Sequence, residues 1–266
     1  VDVKYNMAYS PNFNAAIEVV KKSEGGYVNH PADSGGATNW GIAYNYNKSA
    51  LAKIGVTSPE QMRALTWEQA KSIYHANYWK PLWDDIPVEW AKIIFDFFVN
   101  ASANAIRALQ LALVAAGRDI EADGAYGAKT QQALLQTDGN KGRGYFRYFM
   151  LVYYNTIVKR NPSQSVFLKG WENRVKNTGQ VIEPSKLELQ RADNAIKKKN
   201  IANLFALSDG TVNYGGAQAE YEHGKASYGS VSQAEAMRLR SKAAKYGMWG
   251  AMGILYIAIV IRTARG

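Results

Sequence analysis

Cysteine is absent from all 266 residues, which excludes disulfide staples, zinc–thiolate centres and thiol nucleophiles together. The fold must stand on its core. Histidine is scarce, at His30, His75 and His223, and shows no H-x-x-x-H spacing. A zinc amidase or peptidase needs a cluster of such ligands, and a hydroxyl nucleophile usually needs a His partner, so both classes are disfavoured. No cofactor or metal is expected. The opening residues hold no basic segment followed by an apolar run, so no N-terminal signal peptide is seen, although a chain starting at Val1 leaves processing open.

Acidic side chains are in the minority, 22 against 32 Lys and Arg, for a net charge of +10. Such a balance predicts attraction to polyanions: nucleic acid, anionic lipid headgroups or acidic polysaccharides. The positive charges are dispersed and carry no DNA- or RNA-binding signature, so no specific nucleic acid is expected as partner. Runs of uncharged residues are also short. Tyr246 to Ile261 spans sixteen residues, with Arg238, Arg240, Lys242 and Lys245 before it and Arg262 and Arg265 after it. A bilayer span wants roughly 20 apolar residues, with about 17 as the lower end. The run suits a membrane-inserting or membrane-surface helix, or a helix buried in an assembly such as a virion.

With 47% hydrophobic content the chain can bury a sizeable core. Phe13, Ile17 and Val20 follow helical spacing, and Gly25-Gly26 is the residue type that ends a helix, which puts Glu24 at a helix C-terminus. Residues 27 to 43, rich in Gly, Asn, Asp and Thr, predict turns and a short hairpin. Ser58-Pro59-Glu60-Gln61 and Thr66-Trp67-Glu68-Gln69 resemble capping boxes, so a helix is expected to begin at each. Further amphipathic patterns run through Trp90, Ile93, Ile94 and Phe97, through Ile106, Leu109 and Leu113 up to Gly117, from Phe146 to Val158, and through Phe167, Trp171 and Val175.

Four regions follow: 1–100, 101–178, a helix and Gly/Tyr-rich connector over 179–235 bounded by Gly179 and Pro184, and a basic and hydrophobic helix over 236–266.

Residues 24–42 read EGGYVNHPADSGGATNWGI. A carboxylate at a helix end is followed by a second, Asp33, and by a hydroxyl, Thr38, in a glycine-rich loop. Cleaving a glycosidic bond asks for one carboxylic acid that keeps its proton near neutral pH and a second group that handles water or positive charge. The negative end of the helix dipole and partial burial both favour the protonated form of Glu24, while Asp33, in a polar loop, is expected to stay ionised. Two carboxyl groups in unlike environments separate acid from base. Thr38 could orient a water with Asp33. Each of these residues also has an ordinary reading, as helix cap, turn and solvated surface.

The same string resembles the signature of glycoside hydrolase family 108, phage and prophage muramidases whose pattern is approximately E-G-G-Y, then P-x-D-x-G-G-x-T, then G-I. The resemblance implies a catalytic acid at Glu24. The order Glu, Asp, Thr is similar to that of the phage lysozymes of glycoside hydrolase family 24, whose Asp-to-Thr gap is one residue longer, and this implies supporting roles for Asp33 and Thr38. Tyr74 to Trp79 looks like the family's tyrosine-rich segment, and Phe95 to Asn100 like its D-x-x-V-N helix. Leu109-Gln110 and Asp123 to Thr130 are similar to the predicted peptidoglycan-binding region that usually follows. The resemblance covers residues 12–178.

It implies a mainly α, lysozyme-like helical domain with a short β-hairpin beside the active site, to which residues 236–266 add a C-terminal helical hydrophobic tail. It also implies hydrolysis of the β-1,4 bond between N-acetylmuramic acid and N-acetylglucosamine in peptidoglycan glycan strands, at the periplasm or cell wall. Tyr27, Trp40, Tyr44 and Tyr78 are candidate substrate-binding residues, and Trp40, Tyr44, Tyr74, Tyr78 and Trp79 are candidate sugar-stacking rings. Asp96 and Asn100 either touch substrate or hydrogen-bond the loop that carries Glu24. The D-G-x-x-G-x-x-T segment reads equally as substrate contact or as a tight turn before a capped helix. A lytic transglycosylase giving 1,6-anhydro products, and a virion structural or ejection protein binding wall and membrane through 246–261, are the alternatives.

Overall fold

The computed structural model describes residues 9–29 and 35–207. Asp33 and the segment 236–266, with its run at 246–261, lie outside the described residues. Helices dominate, as the periodicities predict, and the strands are confined to one small hairpin.

Helix α1 (Pro11–Ser23) starts at Ser10, whose Oγ accepts from the Phe13 N–H at 3.1 Å, with Pro11 in the first turn where its missing N–H does no harm. Its apolar stripe, Phe13, Ala16, Ile17 and Val20, is fully buried. The helix ends on Glu24 itself, in extended conformation, rather than on the glycines that follow. The hairpin β1 (Thr38–Asn39) and β2 (Ile42–Ala43) pairs antiparallel, Thr38 with Ala43 and Asn39 with Ile42. Its two central residues, Trp40 and Gly41, both have positive φ, 51° and 74°, the turn type that matches strand twist.

Helix α2 (Tyr44–Lys53) follows directly. Thr66 caps α3 (Trp67–Tyr78) by the expected reciprocal box, its Oγ1 accepting from the Gln69 N–H while its own N–H donates to Gln69 Oε1. The other predicted box gives no α-helix. Gln61 Oε1 instead accepts from the N–H groups of Thr57 and Ser58, and only a short 3-10 turn, Glu60–Ala64, forms.

The centre of the molecule is α4 (Val88–Ala101), buried on nearly all sides, against which α1 and α5 (Ala103–Ala115) pack. A single residue with positive φ, Ser102 at 49°, turns α4 into α5. Beyond it come α6 (Ala128–Leu135), the long α7 (Gly139–Arg160), α8 (Ser165–Asn177) and α9 (Lys186–Lys198). Helix α7 lies along α5 and carries α8 on its other side.

The break expected at Gly179–Pro184 is a bend within the packed body. Buried Arg147 on α7 donates to Thr178 Oγ1 at 2.9 Å and to the Thr178 and Gln180 carbonyls, which fastens the chain as it leaves α8. Helix α9 then packs on α5 through Ala192 and Ile196, and Ile201 and Phe205 join the same core. Helix α9 is the helix expected first within 179–235, its apolar face completes the cover of α5, and the Gly/Tyr-rich residues from 208 on lie outside the described residues.

Candidate active site

Glu24 lies half-buried where the C-terminus of α1 meets the hairpin. The chain leaving it is drawn to the hairpin by Val28 and Thr38, which exchange backbone hydrogen bonds at 2.8 and 2.7 Å. The carboxyl group of Glu24 and the hydroxyl of Tyr74 both come within 3.0 Å of the point where a side chain on Gly41 would begin. Gly41 thus has two reasons to be glycine: its positive φ and the close approach of these two groups.

Tyr74 is wholly buried and donates to the Trp40 carbonyl at 3.1 Å, which locks the hairpin tip over α3. Burial, and then the Glu24 carboxylate beside it, hold the Tyr74 phenol far above its ordinary value. Tyr78, one turn on, is raised by the same two causes in the same order.

The hairpin is fixed on its other side by amide and indole donors. Asn39 Nδ2 donates to the Met62 carbonyl at 2.9 Å and Trp40 Nε1 to the Leu65 carbonyl at 3.0 Å. Thr38 is 2% exposed and its hydroxyl donates to the Gly36 carbonyl at 3.2 Å. Asp33 lies outside the described residues.

The predicted aromatics divide by role. Trp40 packs edge-on against Trp67 at 5.5 Å, and Lys21 lies 5.0 Å over that second ring. The Tyr27 ring carries the Arg63 guanidinium at 4.4 Å. Tyr44 donates from its hydroxyl to the Thr57 carbonyl, and Lys48 lies over its ring. Tyr27, Trp40, Tyr44 and Tyr78 all keep part of their surface open, whereas Tyr74 and Trp79 are buried in the core and offer no ring face to a sugar.

Asp96 and Asn100 do not. Asp96 is 1% exposed and is gripped in fork geometry by Arg174, Nε to Oδ2 at 3.0 Å and Nη2 to Oδ1 at 2.6 Å. Asn100, also buried, donates to the Asp96 carbonyl at 2.6 Å. Neither the substrate contact nor the Glu24-loop hydrogen bond foreseen for this pair is what these bonds provide. Arg174 went unnoticed in the sequence, yet it has a signal: it sits seven residues after Phe167, on the face that Trp171 and Val175 bury.

The D-G-x-x-G-x-x-T segment holds itself together. Gln110 Nε2 donates to Asp123 Oδ1 at 2.7 Å, to the Ala125 carbonyl at 3.1 Å and to Thr130 Oγ1 at 3.2 Å, while its Oε1 accepts from the Gly124 N–H at 2.8 Å. Gly124 has a φ of 83°. These bonds make the motif a turn lock, with Gln110 and Thr130 buried. Among the described residues no group of His, Asp or Glu is arranged to hold a metal ion, and no helix is long and apolar enough to cross a membrane.

Comparison with known proteins follows the same division of the chain. Residues 17–101 match the family described as Glycosyl hydrolase 108, and residues 104–176 match the one described as Predicted Peptidoglycan domain. The step between the two matches falls at the Ser102 kink. Among solved structures the chain is similar to Brucella abortus SagA, with 30% sequence identity over 70% of this chain and 94% of that one and a TM-score of 0.49. No curated protein matches the sequence. The chain belongs to glycoside hydrolase family 108 and is a lysozyme-like, peptidoglycan-degrading glycoside hydrolase followed by a peptidoglycan-binding region.

Proposed function

We propose that the enzyme hydrolyses the β-1,4 bond between N-acetylmuramic acid and N-acetylglucosamine, with Glu24 as general acid. The observation that carries this reading is the seat of Glu24: a half-buried carboxyl group at the end of α1, packed on Gly41 and beside two tyrosines, within the region matched by the hydrolase family.

Glu24 donates its proton to the glycosidic oxygen as the C1–O bond breaks, so the departing sugar leaves with a free hydroxyl. Positive charge then builds at C1 of the muramic acid. Asp33 stabilises that charge and takes a proton from the water that attacks C1. Thr38 fixes the loop and helps orient the water. Tyr27, Trp40, Tyr44 and Tyr78 supply ring faces for the sugars, and Arg63 and Lys21 at the rim add positive charge suited to the carboxylates of muropeptides. Asp96 and Asn100 act from beneath, without touching sugar.

The proposed place of action is the bacterial periplasm and cell wall, and the resemblance to phage and prophage muramidases supports a phage origin. Membrane or virion contact through residues 246–261 belongs to the same reading.

The test is Glu24→Gln on purified peptidoglycan, with mass spectrometry of the products from the unaltered enzyme. We expect loss of at least about 1,000-fold in rate, since both proton donation and its positioning are removed, together with reducing-end muramic acid in the wild-type digest. Activity within a few-fold of wild type would remove Glu24 from the mechanism. A digest ending in 1,6-anhydromuramic acid would make the enzyme a transglycosylase instead.

A further inference from the structure

Two observations place charge from the second matched region beside Glu24. The first is the buried fork between Arg174 on α8 and Asp96 on α4, the latter among the most enclosed charged side chains described. A pair this enclosed costs more desolvation than a packed apolar pair would, so it is weak support for stability and calls for another use. The second is its neighbourhood. Arg174 and Glu24 act electrostatically on each other, and both act on Tyr74, which touches the Gly41 position together with Glu24. Tyr154 of α7, fully buried, feels both Arg174 and Asp96, and its ring stacks on Trp171 at 4.8 Å.

We propose that Arg174 is a positioning residue for the Glu24 acid, and that the Arg174–Asp96 pair sets how tightly Glu24 holds its proton. The inference rests on Glu24 being the acid. Alone, the guanidinium would strongly favour ionised Glu24, which is the wrong state for a proton donor. Asp96, held in the fork, cancels most of that field, so Glu24 faces a nearly neutral pair. Burial works against the charge of Arg174, but the Asp96 carboxylate, and after it Tyr154 and Glu24, more than offset it, and the guanidinium remains cationic.

Among the described residues, Tyr74 and Tyr78 on α3 also face Glu24, and Lys21 and Lys22 precede it in the last turn of α1. The tyrosines stay neutral across the working range, their phenols being raised. The consequence is that the second matched region contributes to the catalytic centre as well as to wall binding.

The test is a carboxyl-carbon NMR titration of the full chain, in which the Glu24 signal is identified by its loss in Glu24→Gln. In Arg174→Gln the midpoint of Glu24 should rise, and in Asp96→Asn, which leaves the cation uncancelled, it should fall, each by about one pH unit. The double variant Arg174→Gln/Asp96→Asn, with no buried charge left unpaired, should return it close to wild type, and Arg174→Lys should stay near it. The alkaline limb of peptidoglycan hydrolysis should move with each midpoint.

Midpoints that stay fixed, or that move the same way in both single variants, would overturn the proposal. Should a single variant fail to fold, the double and the lysine variants still decide it, because a midpoint displaced in the double variant contradicts cancellation. Glu24→Gln activity tests the acid assignment separately: opposite shifts with an active Glu24→Gln would leave the electrostatic brace standing and remove the catalytic role.

Discussion

The Glu24 carboxyl group occupies the space beside Gly41 where any other residue would place its side chain. This contact explains why a glycine seventeen positions downstream belongs to the same motif as Glu24. The helix brings the carboxyl group, the hairpin turn brings a bare backbone, and Tyr74 ties the turn to α3 beneath them.

Gly41→Ala should therefore damage catalysis more than folding. A methyl group there meets Glu24 and Tyr74 at once and also sits on a backbone with φ of 74°. The strained backbone costs more than about 1 kcal/mol. Displacing the acid by about 1 Å costs roughly 100-fold in rate. Turbidity clearing of peptidoglycan, read beside a thermal melt, separates the two. A folded alanine variant with activity within a few-fold of wild type would mean that Glu24 works from another position.

Tyr74→Phe tests the tie itself. Removing the hydroxyl leaves the Trp40 carbonyl without this donor, at a cost of about 1–3 kcal/mol if water cannot replace it. The hairpin tip should loosen, and kcat should fall about tenfold with little change in KM, since the rings proposed to face sugar remain. Equal kcat in the two enzymes would show that the hairpin holds Glu24 without Tyr74.

Much of this was legible in the sequence, and the failures have physical causes. Helix α1, the Thr66 capping box and a short hairpin within residues 27–43 follow from local signals: an apolar stripe, a reciprocal cap, a stretch rich in Gly, Asn, Asp and Thr; the place of the turn, at Trp40-Gly41, does not. Ser58 to Gln61 carries the same letters as a capping box but no sustained apolar stripe after it, so only a 3-10 turn forms. The D-x-x-V-N resemblance offers Asp96 and Asn100 either as substrate contacts or as partners of the loop that carries Glu24; the partner of the Asp96 carboxylate, Arg174, is 78 positions away and no spacing rule connects them. Gly179 and Pro184 do bend the chain, but the core beyond them is decided by how α9 meets α5, a tertiary fact.

Gln110→Leu addresses what the D-G-x-x-G-x-x-T turn is for. The amide of Gln110 holds Asp123, Gly124, Ala125 and Thr130 together, and its loss should cost about 2–3 kcal/mol by leaving buried partners unmet. Hydrolysis of soluble glycan fragments, measured well below the melting temperature, should stay within about twofold of wild type, as expected of changes away from the reacting groups. A large rise in KM with an unchanged melt would instead return this motif to the substrate surface.

Acid should release α9 through Glu188. Its carboxylate takes hydrogen bonds from the Ser185 N–H and hydroxyl and from Tyr145, and pairs with Lys141 at 2.8 Å, so it pins the start of α9 to α7. Burial alone would raise this carboxyl group, but the bonds to Lys141, Ser185 and Tyr145 prevail and bring it from 4.5 down to about 2. Between those values the unfolded chain binds a proton that the folded one does not, so stability rises with pH across this window and is lost as pH falls through it. Glu188→Gln should lower the melting temperature at neutral pH, by the equivalent of about 1 kcal/mol for a weakened cap. The gap to wild type should hold steady above about pH 5 and shrink progressively below it, as linkage requires. Melts over that range decide the matter: a gap that ignores pH would mean that Glu188 anchors α9 by shape and not by charge.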